Sequence, residues 1–308
     1  MENAFFRLAF FRLRSLMALI GAGTRALRVA PLALAALLAL PALLTAGAAH
    51  AAVPGQPVPW QASLQTPVTE VAHAMHDFHT LLLWIISVIV VFVAILLLIV
   101  IFRFNEKSNP NPSRFSHNSL LEVAWTVVPV LILVVIAVPS FRLLRQQLII
   151  PASDITVKVT AHQWYWSYEY PEDQAGGFAF DSNIIPEDQL KEGQTRLLSV
   201  DNELVLPIGK TVRVQVTAAD VIHAFAMPSF GLKIDAIPGR LNETWFKAEK
   251  EGIYYGQCSL ICGQNHAYMP IAIRIVSEER YAQWLQEAKA QFASADDGRP
   301  ASRFLAAR

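Results

Sequence analysis

Cysteine is almost missing from this chain. Two of its 308 residues are cysteine, too few for a disulfide scaffold. Charge is scarce as well. Asp, Glu, Lys and Arg make up 16% of the sequence, against roughly 25% in ordinary soluble domains. The 25 basic and 25 acidic residues cancel, so nothing in the overall balance suits a basic nucleic-acid binder. What fills the space is apolar. Hydrophobic residues reach 54%, which excludes intrinsic disorder and points to a membrane protein with a sizeable soluble part. No internal repeat is present.

The zero net charge conceals three different segments. Residues 1–51 carry Arg7, Arg12, Arg14, Arg25 and Arg28 against Glu2, a net of +4. Residues 52–150 sum to +1 and residues 151–308 to −5. Val29 to Ala49 is uncharged and rich in Leu and Ala, and it runs into Ala49-His50-Ala51. Small residues flanking one arbitrary residue form the signal-peptidase pattern, so residues 1–51 are expected to be a leader cleaved after Ala51. A start at Met17 would leave a conventional basic region with Arg25 and Arg28; an uncleaved anchor is the alternative.

Thr80 to Phe102 holds no charge and is dense in Leu, Ile and Val. At a helical rise of 1.5 Å per residue such a run crosses a hydrocarbon core of about 30 Å. Val123 to Phe141 is a second uncharged run, containing Pro129 and Pro139 and followed by Arg142 and Arg145. We expect transmembrane helices over 80–102 and 123–145. Residues 52–79 have no Lys or Arg, whereas the connecting loop has Arg103, Lys107 and Arg114. The excess of basic residues near a span marks the cytoplasmic side. The loop 103–122 is therefore expected inside, with segment 52–79 and the C-terminal part outside.

From Ile155 the texture changes. Ile155–Val159, Arg213–Val216 and Ile271–Ile275 alternate with period two, between clusters of Gly, Pro, Asn and Asp. That pattern predicts a β-sandwich or barrel over 150–277. Residues 278–308 are expected to form a terminal helix, with Ser277 as its cap, and a disordered tail from 294. Within the β region, Trp164, Trp166, Tyr168 and Tyr170 fall on one face of a strand by alternation, with Tyr165 and Glu169 on the other.

The densest chemistry is the stretch Cys258-Ser259-Leu260-Ile261-Cys262-Gly263-Gln264-Asn265-His266-Ala267-Tyr268-Met269. Both cysteines, a histidine and a methionine fall within it, at spacings C-x3-C-x3-H-x2-M. Thiolates, an imidazole and a thioether form a soft donor set that suits copper and suits Mg, Ca or Mn poorly. Zinc sites use more Cys or His and do not need Met. A two-copper site needs one more imidazole, and His223, placed at the close of a predicted strand, is the best candidate. A Cys258–Cys262 disulfide is the competing reading, disfavoured by its short loop and awkward geometry.

At this point the chain resembles subunit II of the haem–copper cytochrome c oxidases, in its bacterial form. The resemblance rests on the Cys258–Met269 loop, Ala236–Asn242, Tyr254–Cys258, the aromatic run Gln163–Tyr170, and Glu122–Thr126 opening the second apolar segment. It runs from about Trp60 to Val276. It implies a two-helix transmembrane hairpin followed by an all-β cupredoxin-like barrel or sandwich, held in the bacterial inner membrane with the copper domain periplasmic. It also implies a binuclear copper centre, CuA, bridged by Cys258 and Cys262. His223 and His266 would bind one copper each, with Met269 a weaker ligand and the backbone carbonyl of Leu260 completing the set. Such a chain takes electrons from cytochrome c and passes them to subunit I, which reduces oxygen with proton pumping; subunit III and membrane lipid are further expected partners, nucleic acid is not.

The resemblance further assigns Trp164 to the point where the electron enters, Glu122 to the mouth of a proton pathway, and Glu169, Asp201 and Asp220 to docking of a basic cytochrome. One residue departs from the family pattern. Leu260 stands where the family has Glu, so a magnesium site shared with subunit I is expected to lack its ligand from this chain. No Cys-x-x-Cys-His occurs, so no c-type haem is expected. A quinol oxidase subunit would lack the copper ligands, and nitrous oxide reductase would not explain two membrane spans. A membrane-anchored copper carrier and a disulfide-bearing exported protein are the readings from other classes.

Overall fold

The computed structural model describes residues 55–172 and 177–292. The expected leader 1–51 and the tail from 294 lie outside the described residues.

Two long helices come first. Helix α1 spans Glu70–Arg103 and α2 spans Ser119–Leu148. The first begins ten residues ahead of the uncharged run at Thr80, because its cap is there. The Thr69 side chain accepts from the Ala72 N–H, and Glu70 lies in the first turn, where the helix dipole favours an acid. Those opening turns belong to the β domain as much as to the helix. Val71 and Ala72 are buried, and the Thr69 hydroxyl donates to the Phe230 carbonyl at 2.8 Å. From Thr80 to Phe102 α1 is apolar, and none of those side chains is buried. Helix α2 is capped by Asn118, which accepts from Leu120 and Leu121, and contains Pro129 and Pro139. None of its side chains is buried. Both helices are long and apolar enough to cross a membrane. Gln146 near the end of α2 donates to Glu70 at the start of α1 (2.9 Å), so the two run antiparallel as a hairpin.

Ten strands follow: β1 Ile155–His162, β2 Tyr165–Tyr170, β3 Phe178–Ser182, β4 Leu204–Pro207, β5 Thr211–Ala218, β6 His223–Met227, β7 Leu232–Ala236, β8 Asn242–Lys247, β9 Gly252–Cys258 and β10 Pro270–Val276. They form two five-stranded sheets, ordered β3-β2-β1-β5-β8 and β4-β10-β9-β6-β7. Each sheet mixes hairpin pairs with one parallel pair, β1 with β5 and β4 with β10. Parallel neighbours cannot be joined by a tight turn, so the chain crosses between sheets and closes them into a sandwich.

Alternation supplies the core. Val157, Val159 and Ala161 point inward from β1, Val212, Val214 and Val216 from β5, and Leu204, Leu206, Ile271, Ile273 and Ile275 from the second sheet. From β2, Trp166, Tyr168 and Tyr170 are fully buried. Helix α3, Glu278–Phe292, closes one end. Ser277 caps it by accepting from the Arg280 N–H, and Trp284 and Phe292 stack on Tyr170, Phe178 and Phe180. The sequence-based expectation of two apolar helices followed by a β domain is met.

Candidate metal centre

Two segments at one end of the sandwich place the donors. Cys258 is the last residue of β9, and the turn from β9 to β10 carries Leu260, Cys262, His266 and Met269. His223 comes from the other side, as the first residue of β6. This corrects the sequence-based placement of His223 at the close of a strand. Strand β5 ends at Ala218, and the turn through Asp220 intervenes, so His223 opens a new strand that pairs with β9 beside Cys258.

The side chains converge. The sulfurs of Cys258 and Cys262 are 3.9 Å apart and both thiols are free, so the competing disulfide is not formed. His223 Nδ1 lies 3.9 Å from Cys258 Sγ, and His266 Nδ1 3.5 Å from Cys262 Sγ. Met269 Sδ is 3.6 Å from Cys262, and the Leu260 carbonyl oxygen is 3.3 Å from Cys258. His223, Cys258 and Cys262 lie close enough to share a metal ion. Cys258, Cys262, His223 and Met269 are buried, whereas His266 is half-buried at the rim.

Their electrostatics favour a cation. Burial opposes ionisation of Cys258, yet contact with His223, backbone hydrogen bonds and the Cys262 thiol bring it below the usual thiol range. Cys262 is pushed the other way, by burial first and then by the charge of Cys258. Two thiolates so close repel unless a metal ion lies between them. Burial lowers the His223 imidazole, but Cys258 and Asp220 outweigh it and raise it. Burial likewise works to raise Asp220, and His223 with the N–H groups of Val221 and Gln163 holds it below the usual carboxylate range. Two soft anions, two imidazoles, a thioether and a carbonyl in one buried cluster fit copper.

Around the donors lies a shell of hydrogen bonds. Asp220 Oδ1 accepts from His223 Nε2 at 2.9 Å, which leaves Nδ1 facing Cys258 as the donor atom. Asp220 Oδ2 accepts from the Gln163 N–H at 2.7 Å. The Gln163 side-chain amide and the Trp164 indole both donate to the Cys262 carbonyl, at 2.7 and 3.3 Å. Trp166 donates to the Met269 carbonyl at 3.1 Å.

Trp164 requires a second correction. Alternation puts it on the face of Trp166, Tyr168 and Tyr170, but β2 begins only at Tyr165. Trp164 occupies the turn between β1 and β2, half-buried against the loop, while the other three are core. A two-residue turn breaks the alternation, and Gly263 opposite removes the obstacle. A Cβ there would come within 2.9 Å of the indole, and its φ of +126° is one that glycine accepts.

The remaining candidates are dispersed. Glu122 lies in the first turn of α2, at the end of the hairpin away from the β domain, and is not part of the cluster. Glu169 pairs with Lys158 at 2.8 Å, and Asp201 accepts from the N–H groups of Asn183 and Asn202. Sequence reasoning missed Gln163 and Gly263, and read Asp220 only as a docking acid. The three-residue spacing of Asp220 and His223 was a usable signal for a carboxylate orienting a ligand histidine; nothing local pairs Gln163 with Cys262.

The family description "Cytochrome C oxidase subunit II, periplasmic domain" matches residues 155–276, and that for the transmembrane domain of the same subunit matches residues 57–143. A probable cytochrome c oxidase subunit 2 of Rickettsia felis is 54% identical over 230 residues, covering 75% of this chain and 72% of the relative. The cytochrome c oxidase subunit 2 of Cereibacter sphaeroides is 46% identical over 250 residues, covering 76% and 82%. The crystal structure of the periplasmic domain of subunit II of cytochrome oxidase from Bradyrhizobium japonicum is 59% identical and covers 47% of this chain and 99% of that one, with a TM-score of 0.43.

Proposed function

This chain belongs to the cytochrome c oxidase subunit II family, as part of a haem–copper oxidase, and on that premise we propose that it is the subunit through which electrons enter the enzyme. One observation carries the proposal: six soft or neutral donors, from His223, Cys258, Leu260, Cys262, His266 and Met269, converge in one cluster, four of them buried. In the reading favoured here they hold two coppers. Cys258 and Cys262 would hold both ions, His223 and His266 would bind one each, and Met269 and the carbonyl of Leu260 would complete the set. A copper pair held this way supplies a one-electron carrier.

The chain's own residues do the rest. Burial of both cysteines excludes water, and packing of β6, β9 and β10 fixes the donors, so little rearrangement accompanies a change of charge. Trp164, lying on the ligand loop, is the proposed point where the electron from cytochrome c arrives, and its indole hydrogen bond leads to the Cys262 carbonyl. Glu169, Asp201 and Asp220 are each exposed and are proposed to attract a basic cytochrome, although Asp220 also orients His223. Glu122, at the other end of the hairpin, is the proposed mouth of the proton pathway into subunit I. The basic loop between the helices supports a cytoplasmic position for that end and a periplasmic one for the copper domain. Leu260 has no side-chain donor, so the magnesium shared with subunit I is proposed to lack a ligand from this chain.

The test is spectroscopic. The purified domain loaded with copper is expected to bind two ions and give a mixed-valence signal. A colourless, metal-free domain with a Cys258–Cys262 disulfide refutes the proposal. Trp164→Gln is expected to retain the copper and slow reduction by cytochrome c; normal turnover in that variant removes the role of Trp164.

A further inference from the structure

The donors arrive from two separate parts of the chain, β9–β10 and the start of β6, and Gln163, outside the donor set, reaches the first directly and the second through Asp220. Gln163 donates its side-chain amide to the Cys262 carbonyl (2.7 Å) and its backbone N–H to Asp220 (2.7 Å). Asp220 in turn holds His223 Nε2 (2.9 Å), and His223 and Cys262 both face Cys258. The contacts close into a ring, Cys262–Gln163–Asp220–His223–Cys258. We infer that Gln163 is a positioning residue of the metal centre, fixing the ligand loop against the β1–β2 turn and the histidine side of the site at once. This rests on the copper reading above and extends it to a residue that touches no metal.

Two features of the surroundings support a role beyond filling a turn. The Cys262 carbonyl is a doubly used acceptor, shared between Gln163 and Trp164, so the loop carbonyl has a defined direction. Gly263 lets the turn approach: a Cβ there would lie 3.2 Å from the Gln163 amide nitrogen. The amide also places the positive end of a dipole beside Cys262. Its loss leaves the carbonyl less neutralised, which favours the oxidised, more positive site.

The side chain can be altered without touching the backbone bond to Asp220, which makes the inference testable in the assembled oxidase. Gln163→Leu keeps the bulk and removes the donor. It is expected to weaken copper retention against a competing chelator about tenfold, as is usual for partners one shell beyond a metal ligand. It is also expected to lower the midpoint potential of the copper site and change its electron spin resonance splitting. Gln163→Lys restores a donor of similar reach and is expected to recover retention. If Gln163→Leu does not assemble, Gln163→Asn, one methylene too short for Cys262, carries the same expectation. Unchanged retention, potential and splitting in the variant lacking the donor overturn the inference alone, as does equal loss in the Leu and Lys variants. A native oxidase with no copper in this chain overturns the proposed function and this inference together.

Discussion

The helical hairpin and the β domain are built from much the same side chains and dispose of them in opposite ways. In the hairpin, Leu97, Leu98, Ile101, Val130, Leu131 and Leu133 are exposed. In the β domain, Leu204, Leu206, Val214, Val216, Ile271 and Ile273 are buried to the last few per cent. The hairpin satisfies its backbone within each helix and leaves its apolar surface to lipid or to neighbouring subunits. The β domain must satisfy its backbone between strands, and only a closed pair of sheets lets it do so while hiding its Val and Ile. A metal centre belongs in the second kind of structure, because distant segments meet there at fixed distances. In the hairpin the first turns of α1 and the last turn of α2 are fixed by contacts beyond their own helix, through Thr69, Glu70 and Gln146.

The contrast can be broken or sharpened experimentally. Cys262→Ser is expected to have the largest effect. It removes a sulfur proposed to bridge the coppers and should abolish two-copper loading, as read by metal analysis, while insertion of the hairpin in membranes stays normal. Next is a pair of truncations. Trp166→Ala empties a fully buried site and is expected to cost about 3–5 kcal/mol in denaturant unfolding. Leu97→Ala, on an exposed helix face, is expected to stay within about 0.5 kcal/mol. Equal costs would erase the distinction between the two regions.

Smaller in effect is the pH dependence. Cys262 is held above the usual thiol range, by burial and by Cys258, so it is protonated at neutral pH and must lose its proton when metal binds. Copper affinity is therefore expected to rise with pH by about tenfold per unit for each proton released, tested by competition titrations on either side of neutrality. A flat profile would show that both thiols are already ionised. A modest change is expected for Ser277→Ala. Loss of the cap on α3 should cost about 1 kcal/mol, seen as a modest fall in the thermal midpoint of the β domain.

Much of the plan was legible from local pattern. Uncharged runs long enough to cross a bilayer, alternation in the β region and the soft donors of the Cys258–Met269 loop are short-range signals, and each survived folding. Trp164 shows where such reasoning fails. Alternation presumes an unbroken strand, and a turn of two residues, Gln163 and Trp164, shifted it from the core face to the ligand loop. The start of α1 shows a second limit: hydropathy marks where a helix becomes apolar, not where its cap forms. His223 was found as a residue but misplaced in its element, because the turn through Asp220 carries no strong break signal.

What the sequence alone determined is therefore composition-like: two spans, a β domain, and the kinds of donor available for a metal. These follow from hydrophobicity, periodicity and ligand chemistry, which neighbouring residues already fix. Only the tertiary structure decided which donors meet. His223 and Cys258 are 35 residues apart in sequence, and Gln163 and Cys262 are 99 apart. Their contacts depend on how β6 pairs with β9 and how the β1–β2 turn lies on the loop, and those pairings are set by closure of the whole sandwich. Asp220, expected as a docking acid, is held between His223 and the Gln163 N–H for the same reason: Gln163 arrives from 57 residues away.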